Sequence, residues 1–148
     1  MLRELQTVLN KNTDSMCKAE VAMTVGMGVV KDYANKTVEF PTAATDRGIY
    51  FVTKERIPTG EDCGKGELSD YYEKFNSISV NELVKLVEPL NGERYAVDTV
   101  DTAGLAVGDS LAVGTNGKFA KSTSATKFVY AGTYNDAGHA LHVIQVVV

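Results

Sequence analysis

Two histidines near the end of the chain are the most direct candidates for metal chemistry. His139 and His142 are the only histidines in the sequence, and Asp136 lies close before them. On a helix the two imidazoles would share a face, but residues three apart on a strand point to opposite faces. A zinc site also needs a third and usually a fourth protein ligand. We therefore predict no metal site and expect both histidines to face solvent or to be satisfied within a hairpin.

Three other side chains could act as a nucleophile or as an acid–base pair. Cys63 lies between Asp62 and Gly64, and neighbouring carboxylates raise a thiol pKa and disfavour the reactive thiolate. Asp98 and Asp101 could be paired carboxylates for acid and base work. Between strands, however, Asp more commonly caps backbone amides. We predict that the protein is not an enzyme and that it binds no cofactor.

Glycines and lysines give no stronger chemical signal. Residues 26–28 read Gly-Met-Gly but lack the third glycine and the following helix of a dinucleotide site, so they predict a bulge or a tight corner in a sheet. A small basic cluster contains Lys118, Lys121 and Lys127. Lysines on strand edges block unwanted pairing between strands, and we interpret the cluster in this way.

Composition and charge limit the classes of partner. The chain has 148 residues, of which 44% are hydrophobic and 23% are charged, as in one ordinary globular unit. Its formal net charge is -4, whereas general binding to a phosphate backbone needs clustered Lys and Arg. We therefore predict a folded chain that has no nucleic-acid partner.

Hydropathy and cysteine usage predict synthesis in the cytoplasm and no contact with a membrane. The longest apolar run is far shorter than the roughly 20 residues that span a bilayer. The first residues lack the apolar core of a secretory signal. Cys17 and Cys63 are widely separated and lack C-x-x-C spacing, so we expect two reduced thiols.

The first 18 residues are predicted to form an N-terminal arm or a short helix. A helix at the start of the chain would place Leu2, Leu5, Val8 and Leu9 on one side. Helices this short are marginal in water. Two interpretations therefore remain open, a short helix docked on its own domain and an arm that becomes ordered only against a partner.

Residues 19–148 are predicted to form a single β-rich domain. Residues 37–40 alternate between polar and apolar side chains, which is typical of a half-buried strand, and residues 49–57 form a second strong strand. An insert at about 59–90 interrupts this pattern with a polar, aromatic stretch. We expect an exposed loop with a single helical turn in its first part.

A capping box predicts a short helix in the second part of the insert. Ser79 is followed three residues later by Glu82, the spacing at which the two side chains satisfy each other's backbone amides. Leu83, Leu86 and Val87 follow at helical spacing. We expect this helix to pack these three side chains on the sheet.

The last third of the chain predicts closely spaced hairpins. Asn116-Gly117 is typical of a two-residue type I′ turn, and residues 135–138 predict a longer hairpin loop. The final run, residues 143–148, is apolar on both faces. Such a strand must be covered on both sides, by the core of its own chain or by another subunit.

Two segments of the sequence resemble each other. The block from Thr24 through Lys36 matches the block from Ala106 through Lys118 without gaps, although few residues are identical. Chance similarity between two hairpins is one interpretation. The other is a pair of related β-units packed in one barrel or sandwich, since an open solenoid needs three or more repeats.

The C-terminal third resembles a known family. The segment AGLAVGDSLAVGTNGKFAKSTSATKFVYAGTYNDAGHALHVIQVVV is similar to the β-barrel segment of tailed-bacteriophage head decoration proteins, also called capsid cement or auxiliary capsid proteins. The resemblance covers residues 104–148 well and the N-terminal half weakly. The insert at 59–89 departs from the family pattern. The expected fold is mainly β (α+β), a small antiparallel β-barrel or sandwich with one short helix and an N-terminal arm.

The resemblance implies a non-enzymatic virion structural protein. Such a protein is made in the host cytoplasm, binds the outer capsid surface of an assembled head and stabilises contacts between major capsid subunits. Its expected partners are the major capsid protein and copies of itself, as a trimer or dimer. The residues expected to contact the capsid or another subunit are Leu2, Leu5, Val8, Leu9, Val146 and Val148.

Other functions remain open on the sequence. Within the structural class, the chain could be a head fibre base or a head–tail or tail protein. From another class, it could be a small ligand-binding or hydrolytic β-barrel that uses Asp98, Asp101 and His139. A pocket that joins these three side chains would favour the second alternative.

Overall fold

The computed structural model describes residues 1–8, 13–55 and 70–147, and its fold is mainly β, as predicted. This part of the chain contains thirteen strands and one short helix. The strands are β1 (Leu2–Gln6), β2 (Thr13–Ala19), β3 (Met23–Thr24), β4 (Gly28–Asp32), β5 (Thr37–Glu39), β6 (Tyr50–Thr53), β7 (Ser77–Ile78), β8 (Leu83–Val87), β9 (Arg94–Val97), β10 (Ser110–Val113), β11 (Phe119–Lys121), β12 (Phe128–Asp136) and β13 (His139–Val146), and the helix is α1 (Glu73–Asn76).

Five strands of the N-terminal half form a closed barrel. Their order is β2-β5-β4-β6-β8, and β8 pairs with β2 to complete the ring. All of these pairs are antiparallel except β2 with β5, which run parallel where Lys18 lies opposite Thr37. The side chains that fill this barrel include Cys17, Ala19, Val29, Val38, Val52, Val84 and Leu86.

Six strands form the second sheet, in the order β1-β9-β13-β12-β10-β11. A parallel bridge between Val100 and Phe119 brings β11 back to the segment that follows β9. When β1 is set aside, the five remaining strands therefore have the same neighbours, in the same directions, as the five strands of the first barrel. We name these five strands, with the isolated Val100–Phe119 bridge as the closing contact, the second barrel.

The individual hydrogen bonds repeat as well. The backbone N–H of Gly26 donates to the carbonyl oxygen of Val52 at 2.9 Å, and that of Gly108 donates to the carbonyl oxygen of Tyr130 at 2.8 Å. Both glycines have a φ of +96°. The similarity between the two sequence segments is therefore a structural repeat and not a chance likeness of two hairpins.

Substitution of the two equivalent glycines is expected to have unequal effects. A Cβ at Gly26 would lie 2.7 Å from the backbone oxygen of Met1, whereas a Cβ at Gly108 has nothing within 4 Å. Both substitutions impose the strain of a positive φ, about 1–2 kcal/mol. We expect Gly26→Ala to lower the free energy of unfolding clearly more than Gly108→Ala does. Urea unfolding of both variants measures this, and equal losses would contradict the packing of Met1 on this turn.

One of the apolar clusters contains side chains from both barrels, and we name it the shared core. Phe51 on β6 is fully buried, and its ring stacks on Tyr95 and Phe119 of the second barrel at centroid distances of 4.5 and 5.2 Å. Its edge meets the ring of Phe128 at 6.2 Å. Because Phe51 belongs to the first barrel but packs in the second, we expect the two halves to unfold together.

The helix predicted in the second part of the insert is wrong, and of the two interpretations of the first residues the short helix is not observed. The first residues form strand β1, which pairs with β9 from Leu2 opposite Val97, and the division of the chain after residue 18 stays a prediction. In the insert, the N–H of Ser79 does donate to the carboxyl of Glu82 at 2.9 Å, as a capping box requires. Asn81, however, has a φ of +67°, which a right-handed helix does not accommodate, and the chain continues into strand β8. The single helical turn expected earlier in the insert corresponds to α1.

The two predicted hairpins are present, but their turn types are exchanged. At Asn116-Gly117 the N–H of Gly114 donates to the carbonyl oxygen of Lys118, and only the glycine has a positive φ, so the loop has three residues and the type I′ prediction is wrong. Between β12 and β13 the loop is only Ala137-Gly138, and both residues have positive φ, as a type I′ turn requires.

The last strand is covered on both faces by its own chain. Ile144 and Val146 of β13 lie in the shared core. Val143, on the opposite face, packs in a small cluster with Met1 and Ala96. Of the two explanations for an apolar last strand, burial in the core of the same chain is the one observed here.

Candidate functional site

The two histidines do not form a metal site in the structure. The ring of His139 stacks on Tyr71 with centroids 3.7 Å apart. Nδ1 of His142 lies 3.1 Å from the hydroxyl oxygen of Tyr130. Within residues 1–8, 13–55 and 70–147, no three His, Cys, Asp or Glu side chains are arranged to hold a metal ion.

The two candidate catalytic carboxylates have separate structural partners. Oδ1 of Asp98 accepts a hydrogen bond from the amino group of Met1 at 2.7 Å, and burial lowers the pKa of that amino group although Asp98 opposes the shift. Oδ1 of Asp101 accepts the N–H of Ala103 at 3.1 Å, which is the backbone capping that the sequence predicts for it. Since His139 stacks on Tyr71 instead, the observed contacts do not join the three residues of the hydrolytic alternative.

The remaining chemical candidates also have structural explanations. Cys17 is buried, and this burial raises the pKa of its thiol, which disfavours the nucleophilic thiolate. Cys63 lies outside the described residues. A Cβ at Gly28 would lie 2.5 Å from the side chain of Val113, so this glycine allows the two barrels to approach each other. In the predicted basic cluster, Lys121 pairs with Asp109 at 2.8 Å.

A polar network fastens the β12–β13 turn to the start of the chain. Oδ2 of Asp136 accepts hydrogen bonds from the Tyr71 hydroxyl and from Nε of Arg3, both at 2.7 Å. These two donors hold the pKa of Asp136 below its ordinary value. Arg3 also donates to Asp70 at 2.7 Å. The network positions Tyr71, and its residues are far apart in the sequence, so no local motif announces it.

Acid titration should reveal the contribution of Asp136. Because its pKa is lower in the folded chain than in the unfolded chain, its stabilisation is fully present above the ordinary Asp pKa of about 3.9 and is lost as the pH falls through the folded value. We expect Asp136→Asn to melt below the native chain at neutral pH and the two melting temperatures to converge in acid. Thermal unfolding from pH 7 to pH 2 measures this. A difference that persists unchanged in acid would show that the charge does not matter.

An open groove of about 390 Å³ lies between the loop at 44–47 and the loop at 121–126. Its floor consists of small side chains of β10 and β11. Asp46 in its wall accepts the N–H of Lys127, and the hydroxyl of Thr126 donates to the carbonyl oxygen of Leu111. These hydrogen bonds hold the two loops in place.

Several large apolar side chains are exposed, and two of them lie on paired strands. The exposed residues are Leu5, Val8, Met16, Tyr33, Tyr72, Val80, Leu83, Val107 and Tyr134. Met16 and Leu83, on the paired strands β2 and β8, are 75% and 60% exposed. Leu83 lies opposite Lys18, two residues along β2 from Met16, and Met16 lies in the bulge between Asp14 and Cys17, so the two exposed side chains belong to adjacent stretches of paired strands. We name this the Met16–Leu83 face.

The repeat shows what the same face looks like in the second barrel. Val52 lies opposite Leu86 in the first barrel, and its counterpart Tyr130 lies opposite Ile144 in the second, so Leu86 corresponds to Ile144. Leu83 lies three residues before Leu86 and therefore corresponds to Leu141, which lies three residues before Ile144. Leu141 is 1% exposed and belongs to an apolar cluster with Met1, Ala96 and Val143, against which Tyr71 packs. The same position is therefore covered in the second barrel and bare in the first.

The strand that carries Met16 is held by charged side chains in the first barrel. Lys31 Nζ donates to Asp14 Oδ2 at 2.6 Å and lies 4.1 Å from the centre of the Tyr50 ring. Oδ1 of Asp14 accepts the N–H of Met16 at 2.8 Å. This carboxylate therefore fixes the backbone of β2 where a bulge interrupts its pairing with β8.

The same positions in the second barrel are apolar. The strand pairings of the two barrels match residue by residue, so that Asp14 corresponds to Tyr95, Lys31 to Val113 and Tyr50 to Phe128. Tyr95, Val113 and Phe128 are all fully buried. The fold therefore does not require charge at these positions. In the first barrel the charges lie beside the bulge that presents Met16.

The predicted contact residues occupy different environments. Leu5 and Val8 are 38% and 48% exposed, and Leu2 is half-buried. Val146 is 2% exposed and lies in the shared core, where it offers a partner almost no surface. Leu9 and Val148 lie outside the described residues. A contact between these residues and a partner stays a prediction.

No local motif in the sequence marks the Met16–Leu83 face. Met16 lies in the segment predicted as an arm or short helix, and Leu83 was assigned to a buried helix face. A signal was present: Val84 and Leu86 alternate with Leu83 and Lys85, which is the period of a strand with one buried face. The capping box favoured a helix over this alternation.

No protein-family model, curated protein or solved structure matches the chain. Within the described residues, no helix has the length and the apolar character needed to cross a bilayer.

Proposed function

We propose that the chain is a non-enzymatic structural protein of a phage head, which binds the outside of the assembled shell and stabilises contacts between major capsid subunits. Its partners would be the major capsid protein and copies of itself, as a dimer or trimer. In this proposal the chain works through surfaces and carries out no reaction.

The proposal rests on the resemblance of residues 104–148 to head decoration proteins. One structural observation supports a binding role in particular: a bare apolar face on the first barrel whose counterpart on the second barrel is covered. The described candidates for catalysis support it as well, since Asp98, Asp101 and His139 each have a separate structural partner.

Co-sedimentation tests the proposal. Purified chain is mixed with expanded, empty shells that lack their decoration protein, and the bound fraction is measured at increasing chain concentration. We expect saturable binding at a fixed number of copies per shell, because a shell has a fixed number of equivalent sites. Binding that never saturates, or no binding at all, would contradict the proposal. Unexpanded shells serve as the control for non-specific adsorption.

A further inference from the structure

The Met16–Leu83 face is the clearest place where the chain exposes what its own repeat covers. Met16 is 75% exposed and Leu83 is 60% exposed, while Leu141, the counterpart of Leu83, is 1% exposed. Burial of exposed apolar side chains against a partner is favourable, because it removes their apolar surface from water. The equivalent position shows that the geometry of the barrel is compatible with a covering group.

We infer that the Met16–Leu83 face is the surface through which the chain binds the shell, an inference that rests on the proposed function. The second barrel shows the chemistry of a suitable partner. There Leu141 lies in a cluster with Met1, against which Tyr71 packs, and neither Met1 nor Tyr71 belongs to a strand of the barrel. The shell subunit would present one or two large apolar or aromatic side chains in the same way.

Charge further defines the partner. Lys18 is exposed and lies directly opposite Leu83 on the β2–β8 ladder. Lys85, on the same strand as Leu83, pairs with Glu55 at 3.2 Å. The partner surface would therefore carry an acidic residue beside its apolar side chain, placed to meet Lys18. Such a pair at the rim of an interface adds specificity more than affinity.

The contact is made by side chains and does not extend the sheet. The N–H of Met16 already donates to Asp14, and the bulge between Asp14 and Cys17 disrupts the regular ladder of β2. β2 also pairs with β5, and β8 also pairs with β6, so neither is an edge strand to which another chain could add. The exposed apolar side chains remain available on the outer face.

The size of the face favours a shell over a second copy of this chain. Two side chains provide far less than the roughly 800 Å² per partner of a stable protein interface. A dimer held by this face alone would dissociate in dilute solution. On a shell, other contacts of the same subunit add to this one, and the linked contacts bind together with a much higher effective affinity.

Three single variants and one double variant test the inference in the shell-binding assay. Met16→Glu and Leu83→Glu place a charge on the face, and we expect each to weaken shell binding on the order of tenfold and the double variant to weaken it further. Val107→Glu is the matched control, because Val107 is 72% exposed and lies elsewhere on the surface. We expect its binding to equal that of the native chain. Melting temperatures confirm that all variants are folded.

The outcomes separate this inference from the proposed function. If the double variant binds shells as tightly as the native chain, the inference is overturned and the proposed function stands. If the native chain itself does not bind, both are overturned. Light scattering on the same samples measures self-association. A native dimer that the double variant lacks would assign the face to a second copy and would also overturn the inference.

Discussion

Phe51→Ala is expected to destabilise the whole chain by about 3–5 kcal/mol, the usual cost of removing a large aromatic side chain from a core. The side chain is fully buried and contacts three aromatic rings of the other barrel, at centroid distances from 4.5 to 6.2 Å. The substitution would leave a cavity between the barrels.

Urea unfolding followed by circular dichroism and by tyrosine fluorescence measures the effect. We expect one cooperative transition for the native chain with both probes and a lower midpoint for the variant. Tyr134→Ala is the control, since Tyr134 is 39% exposed and its removal should cost less than about 1 kcal/mol. Two separate transitions in the native chain would show that the barrels do not share a core.

Glu93→Ala is expected to cost about 3 kcal/mol or more, because it removes an acceptor on which several donors depend. Glu93 is fully buried. Its carboxyl accepts the N–H of Val8 and the N–H of Leu90, both at 2.8 Å, and the hydroxyl of Tyr95. The variant would leave these donors without this acceptor, and the hydroxyl of Tyr95 is buried.

A graded series of variants separates this role from simple packing. Glu93→Gln keeps the shape and one acceptor oxygen, so we expect an intermediate loss. Tyr95→Phe removes one donor and leaves the two backbone hydrogen bonds intact, and its expected cost is about 1 kcal/mol. Denaturant midpoints give the order. If Glu93→Ala unfolds at the same urea concentration as the native chain, the carboxyl does not hold these segments together.

Strands and hairpins could be predicted where the sequence pattern is local. The alternation around Val38 and the turn residues at 116–117 and 135–138 place strands and connections correctly. Turn types were exchanged because the backbone conformation depends on the register of the flanking strands as well as on the Asn-Gly pair. Ala137 has a positive φ that its residue type disfavours, and the pairing of Asp136 with His139 imposes it.

The helix prediction in the insert is wrong for a different reason. A capping box and a helical spacing of leucines are local signals, and the hydrogen bond from Ser79 to Glu82 does form. Pairing of β8 with β2 and β6 then offers a full set of backbone hydrogen bonds and buries Val84 and Leu86. These tertiary contacts outweigh a helix propensity of a few tenths of a kcal/mol per residue.

The candidate surface could not be predicted, because it is defined by comparison and not by a motif. Met16 and Leu83 are ordinary apolar residues in the sequence. Only the correspondence between the two barrels shows that one copy of this position is buried, at Leu141 in the cluster that contains Met1, while the other copy, Leu83, is exposed. The sequence did contain the first half of this comparison, in the similarity of the segments that begin at Thr24 and Ala106.

Electron cryo-microscopy of shells saturated with the chain tests the central claim most directly. We expect density for both barrels on the outer surface at every equivalent position, with Met16 and Leu83 facing the shell subunit. Shells without added chain provide the difference map. Density on the inner surface, at the tail vertex alone, or with the Met16–Leu83 face turned to solvent would contradict the account.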